Sequence, residues 1–161
     1  MSDAADHAGL IEKLRQSGIR VDREGRFVHE GAEVTHEGLR RALFRWLDRQ
    51  EDGRYVLRLD ERRFAYLDVE DTPLVARAAR VDPTGTVQLA LSDGAEEALD
   101  PETLTVDAAG VLRAWVRGGR LEARLASSAA AALADLLTEL DGRPALRVGG
   151  RIQRLRVRPG A

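Results

Sequence analysis

Along most of the chain apolar and polar residues alternate, the period of a half-buried strand. This alternation predicts strands over residues 19–22, 26–29, 55–59, 64–69, 74–81, 86–91, 103–107, 111–117 and 121–126, with two closing strands around Gly149-Gly150. Three stretches carry a helical rhythm instead. Leu10, Ile11 and Leu14 form a short stripe that Gly18 would end. Leu39, Leu43, Trp46 and Leu47 fall at i, i+4, i+7 and i+8 of a helix capped by Thr35 and stopped at Glu51-Asp52-Gly53. Leu133, Leu136, Leu137 and Leu140 line a last helix, capped by Ser127 or Ser128 and ended at Asp141-Gly142.

The punctuation of these elements repeats. Val21-Asp22-x-x-Gly25 matches Val106-Asp107-x-x-Gly110, and Asp52-Gly53-Arg54 matches Asp141-Gly142-Arg143, in the same order around the two longer helices. The pattern predicts an α+β fold of two duplicated, antiparallel, sheet or barrel-like halves, each with one amphipathic helix. Asp82-Pro83-Thr84-Gly85 is the strongest break between them. It divides the chain into a tail and short helix (1–18), an N-terminal repeat (19–82) and a C-terminal repeat (83–161).

Composition narrows the chemistry. The 161 residues include no cysteine, which removes disulfides, thiolate metal sites and cysteine nucleophiles. Lys13 is the sole lysine and lies in no glycine-rich loop, so there is no P-loop. Seven aromatic residues are few for a base-stacking surface and weigh against a nucleic acid partner. No stretch is long and apolar enough to span a bilayer and no leader pattern opens the chain, so a cytoplasmic protein with no membrane partner is expected.

The net charge of −2 conceals a division. Residues 1–141 carry 19 basic and 27 acidic side chains, whereas the last twenty carry six arginines and no acid. Arg154, Arg156 and Arg158 alternate, which on one strand aligns three guanidiniums for an anion or guards an edge against pairing. His7, His29 and His36 form no HExxH motif, and no G-x-S-x-G elbow or GxGxxG loop occurs. The acidic run Asp68-Val69-Glu70-Asp71 puts Asp68 and Glu70 on one strand face. That is a conceivable divalent-metal or acid–base pair, and more ordinarily a strand end before Thr72-Pro73. Gly118-Gly119 within Val116-Arg117-Gly118-Gly119-Arg120-Leu121-Glu122-Ala123-Arg124 is consistent with a plain hairpin turn.

Taken together, these residues resemble the bacterial domain of unknown function 1285 family. The resemblance rests on Asp22-x-x-Gly25, Gly31, Leu39, Leu43-Phe44 and Gly53-x-Tyr55-x-Leu57, closing with Val69-Glu70-Asp71-Thr72-Pro73-Leu74. It continues through Val116-Arg117-Gly118, Leu121-Glu122-Ala123 and Gly149-Gly150. The chain departs from the family pattern at Phe27-Val28, around Ser128–Ala132 and at Arg147-Val148. The resemblance implies a duplicated α+β fold whose C-terminal half is like a pleckstrin-homology barrel, no established enzyme activity, and a nucleotide-like ligand held where the halves meet, with a signalling role. Its matching positions here are Glu70, Asp71, Pro73, Arg117, Gly118 and Glu122, and Arg124 stands beside them.

The resulting expectation is a non-catalytic binding or regulatory module for an anionic, nucleotide-like small molecule. Arg117 and nearby arginines would meet the anion, with no cofactor and no metal. A protein-interaction module using the basic C-terminal strands, with self-association through helix surfaces, is the alternative. A metal-assisted hydrolase using Asp68, Glu70 and Asp71 is the third reading.

Overall fold

A computed structural model describes residues 15–159. The N-terminal stripe of Leu10, Ile11 and Leu14, together with His7 and Lys13, lies outside the described residues. The chain divides into two compact units at Pro73/Leu74. The turn at 82–85, the boundary expected from its punctuation, is instead a hairpin inside the second unit.

The first unit runs β1 (Gln16–Val21), β2 (Phe27–His29), β3 (Ala32–Glu33), α1 (Glu37–Trp46), β4 (Leu47–Arg49), β5 (Tyr55–Arg58) and β6 (Phe64–Val69). They form one sheet in the order β3-β2-β1-β6-β5-β4. Every pairing is antiparallel except β1 with β6, where Arg20 stands beside Asp68 and Val21 beside Val69. Val21, Phe27, Leu47, Leu57 and Leu67 supply buried apolar side chains from the strands. Leu43 supplies another from α1, and the Phe44 ring meets Phe27 edge-on at 4.8 Å. Gly18 does not end a helix; it sits at the irregularity of β1 with φ 68°.

The second unit runs β7 (Leu74–Val81), β8 (Val87–Leu91), β9 (Glu96–Ala98), β10 (Thr105–Val106), β11 (Leu112–Val116), β12 (Leu121–Leu125), α2 (Ser127–Ala132), β13 (Leu137–Leu140), β14 (Arg143–Val148), β15 (Arg151–Arg154) and β16 (Arg156–Val157). Seven strands make the sheet β16-β10-β11-β12-β7-β8-β9 and three make β13-β14-β15. The final strand breaks at buried Leu155, so β15 belongs to one sheet and β16 to the other. The sheets are therefore open and do not close into barrels, and the architecture is mixed α+β. One face of the larger sheet is a continuous apolar layer in which Leu112, Ala114, Val116, Leu121, Ala123, Leu125, Leu74 and Ala76 are all buried. Burying such a face is the main stabilising term for a sheet.

Two features of this topology correct the expected helices. Both helices end early and run into strands, because each Asp-Gly turn closes a hairpin and does not stop a helix. Asp141 and Gly142 both have positive φ (54° and 73°), as a tight hairpin turn requires. Leu137 and Leu140 accordingly lie in β13, paired with β14. The cap of α1 is His36, not Thr35: the Leu39 N–H donates to His36 Nδ1 at 3.1 Å.

The duplication is written in the pairing. In both units a first strand turns through Asp-x-x-Gly into its antiparallel neighbour, a third strand leads to the helix, and an Asp-Gly hairpin follows. A last strand then returns parallel to the first. Thr105 stands beside Arg156 and Val106 beside Val157, repeating the pairing of β1 with β6. Glu70 N–H donates to the Val21 carbonyl at 2.9 Å, and Arg158 N–H to that of Val106 at 2.7 Å. β7, β8 and β9 belong to neither repeat; they attach through the parallel pairing of β7 with β12.

Candidate functional site

Among the described residues the Asp-x-x-Gly turn occurs three times, at Asp22, Asp82 and Asp107, with one geometry. Each carboxylate Oδ1 accepts the N–H groups two and four residues on, at 2.9–3.1 Å. The glycine at the fourth position adopts positive φ, 81°, 87° and 79° in turn. What differs is the second carboxylate oxygen. Asp22 takes Arg26 Nε at 2.8 Å, whereas Asp107 takes Arg113 Nη1 at 2.8 Å. That Arg113 bond, with the Val111 N–H, holds the Asp107 carboxyl below its ordinary value.

Arg113 leads to the polar face of the seven-stranded sheet. On β11 and β12, Arg113 stands opposite Arg124 and Trp115 opposite Glu122, so all four point away from the apolar layer. Thr105 pairs with Arg113 on one side and with Arg156 on the other, which brings Arg156 to the same face. Arg113, Glu122 and Arg124 are only 7%, 6% and 8% exposed. Glu122 Oε1 accepts from Arg158 Nη1 at 3.2 Å. Four arginines thus share this face with two carboxylates, Glu122 and Asp107. Like charges directly opposite on neighbouring strands are destabilising unless acids or an anion answer them.

The other expected site residues lie elsewhere. Arg117 (φ 55°) and Gly118 (φ 64°) form the turn between β11 and β12. The Arg117 guanidinium pairs with Asp93 and, at 3.3 Å, with Glu97, whose carboxylate also accepts the Arg117 N–H at 2.7 Å. An anion at Arg117 would have to displace two carboxylates. Glu70, Asp71 and Pro73 belong to the first unit. Glu70 accepts the Arg23 N–H at 3.1 Å and lies 3.8 Å from Arg20; Asp71 lies 4.0 Å from Arg23. Pro73 is buried at the end of that unit. Arg154 does not join Arg156 and Arg158: it lies in the three-stranded sheet and bonds Asp141 at 2.6 Å. Among the described residues no group of three or more histidine or acidic side chains could hold a metal ion.

Arg113 is the residue that sequence reasoning did not select, and Asp107 was marked only as a turn residue and not as its partner. The signal for Arg113 was cross-strand register, since Arg113 and Arg124 are equidistant from the Gly118-Gly119 turn.

Two solved structures share this architecture. A DUF1285 family protein from Silicibacter pomeroyi DSS-3 superposes with a TM-score of 0.73 at 22% identity, covering 88% of this chain and 80% of that one. The chain has the DUF1285 fold. A second DUF1285 family protein, from Shewanella baltica OS155, gives a TM-score of 0.56 at 17% identity, covering 69% of this chain and 85% of that one. No protein-family model and no curated protein matches the sequence. In the DUF1285 fold of this chain, no helix among the described residues is long and apolar enough to cross a membrane.

Proposed function

We propose that the protein is a non-catalytic binding module of the cytoplasm that recognises an anionic, nucleotide-like small molecule in a regulatory or signalling role. The observation that carries this reading is the opposed, buried pair Arg113 and Arg124, with Arg156 and Arg158 on the same sheet face. Guanidinium forks match phosphate oxygens in pairs, and a partly desolvated face strengthens such contacts. Exposed Arg156 and Arg158 would meet the ligand first, while Glu122 orients Arg158.

A thermal-shift screen with nucleotides and phosphorylated metabolites tests it. A ligand at a hundred times its dissociation constant stabilises the fold by about 2.7 kcal/mol. That shift should shrink in Arg156→Ala and Arg158→Ala, which alter exposed side chains. No shift with any anion, or an undiminished shift in both variants, refutes the reading.

Interaction with another protein is the second reading. It is favoured by Ile152 and Val157, which stand 46% and 62% exposed between arginines of the C-terminal strands. A concentration-dependent mass in light scattering, without any ligand shift, supports it.

A further inference from the structure

The first unit holds a cavity of its own. β5 and β6 pair from Val56/Tyr66 to Arg58/Phe64. Beyond Val56 and Tyr66 they diverge, and a cavity of about 360 Å³ opens between Gly53, Arg54 and Tyr55 on one side and Leu67, Asp68 and Val69 on the other. Gln16, Tyr66 and Asp71 complete its wall. The size falls within the range of small-molecule sites.

The wall is selective in charge. It carries two carboxylates, Asp68 and the Arg23-paired Asp71, and two phenol rings, Tyr55 and Tyr66. Arg54, the one arginine of this wall, is committed: its Nε bonds Asp52 at 2.9 Å, its Nη2 donates to the Tyr66 hydroxyl at 2.8 Å, and its guanidinium lies 4.0 Å over the Tyr66 ring. An anion entering here would meet carboxylates with no uncommitted arginine on the wall to answer it.

The repeat supplies an independent indication. Asp68 and Glu70 occupy the positions that Arg156 and Arg158 occupy in the second unit, by strand register and by the matched bonds to Val21 and Val106. One topology thus presents a carboxylate strand in one copy and a guanidinium strand in the other. The two copies of one framework carry opposite charge at equivalent positions.

We propose that the β5/β6 cavity binds a small organic cation, an aliphatic amine, with Asp68 as its ammonium partner and the tyrosine rings flanking its carbon chain. A carboxylate acceptor favours an ammonium group, and because the Tyr66 ring already faces the Arg54 guanidinium, Asp68 carries the selection. This site is separate from the anion reading of the second unit and stands or falls without it.

The test is an NMR titration of the ¹⁵N-labelled full chain with putrescine, a four-carbon diamine, and with succinate, a four-carbon dianion. Putrescine should give saturable shifts at the amides of Gly53, Arg54, Tyr55, Leu67, Asp68 and Val69, and succinate none there. Asp68→Asn should weaken putrescine about tenfold, the scale of one lost charge-assisted contact. Asp68→Arg, which installs the second repeat's charge, should abolish those shifts. Asp68 is exposed, so unmoved amides elsewhere will certify the fold. Absence of saturable shifts at millimolar putrescine, equal response to succinate, or undiminished affinity in Asp68→Asn overturns the proposal.

Discussion

Asp22→Ala removes the acceptor on which the first Asp-x-x-Gly turn closes. Oδ1 accepts Glu24 N–H and Arg26 N–H, each at 2.9 Å, and Oδ2 bonds Arg26 Nε at 2.8 Å. The two backbone bonds are worth about 1 kcal/mol each, giving a loss of about 2 kcal/mol. The Arg26 side chain is half-exposed, so its ion pair adds little. Asp22→Asn separates these contributions, because its amide oxygen retains the backbone acceptor while the charge disappears. It should cost less than about 1 kcal/mol. Urea unfolding reports this locally: Trp46 lies in the first unit and Trp115 in the second, so a Trp115→Phe background isolates the Trp46 signal. With a slope of about 2 kcal/mol per molar urea, the Ala variant should lose about 1 M in midpoint, and Asn markedly less. Equal losses in Ala and Asn would refute the assignment of the stability to acceptor geometry.

Four further outcomes follow from the same structure. Asp22 is partly buried, which opposes ionisation, yet the Arg26 N–H and guanidinium outweigh that; Asp82 (chiefly Thr84 Oγ1) and Asp107 (chiefly Arg113) are likewise lowered from 3.8. Their stabilisation is complete above that value and lost as pH falls below it toward the folded-state values, so urea midpoints from about pH 5 to about pH 2 should decline, less steeply in Asp22→Ala. Leu146→Ala empties a fully buried position in β14 and should cost about 3 kcal/mol in the same titration. Gly85→Ala should destabilise more than Gly53→Ala in thermal unfolding: both have positive φ, but a Cβ at Gly85 would lie 3.2 Å from Gly149 Cα, whereas Gly53 faces open space. His36→Asp offers α1 a better cap and should raise stability by about 0.5 kcal/mol.

The hairpins were legible because their turns are chemical. Asp-x-x-Gly and Asp-Gly demand particular side chains at particular φ, and every such motif flagged in the sequence closes a turn. The helix ends were not legible. Leu47 and Leu137 satisfy the helical spacing and the strand spacing equally, and pairing with β5 and β14 decided between them. Long-range parallel pairing also left no local trace, so the association of β7 with β12, and hence the position of the break between units, lay beyond the sequence pattern. The buried arginines were hidden for a related reason. Leu112–Val116 and Leu121–Leu125 alternate like strands with one wet face, and alternation alone does not say whether that face is covered. The family motifs pointed to the β11/β12 hairpin and to Glu122, with Arg124 beside them, but not to Arg113.

In each repeat the last strand lies beside the first and parallel to it, so the segment leaves at the end of the strand pair opposite to where it entered. A segment that leaves opposite its entry can be followed by a second copy, or by an added hairpin such as that of β7 and β8, without rethreading its own strands. The same geometry resists circular rewiring. Joining Val69 back to Gln16 would need a crossover along the length of β1, because parallel strands cannot be linked by a tight turn. For an evolving genome, such a unit is easy to double and its second copy is free to change sign.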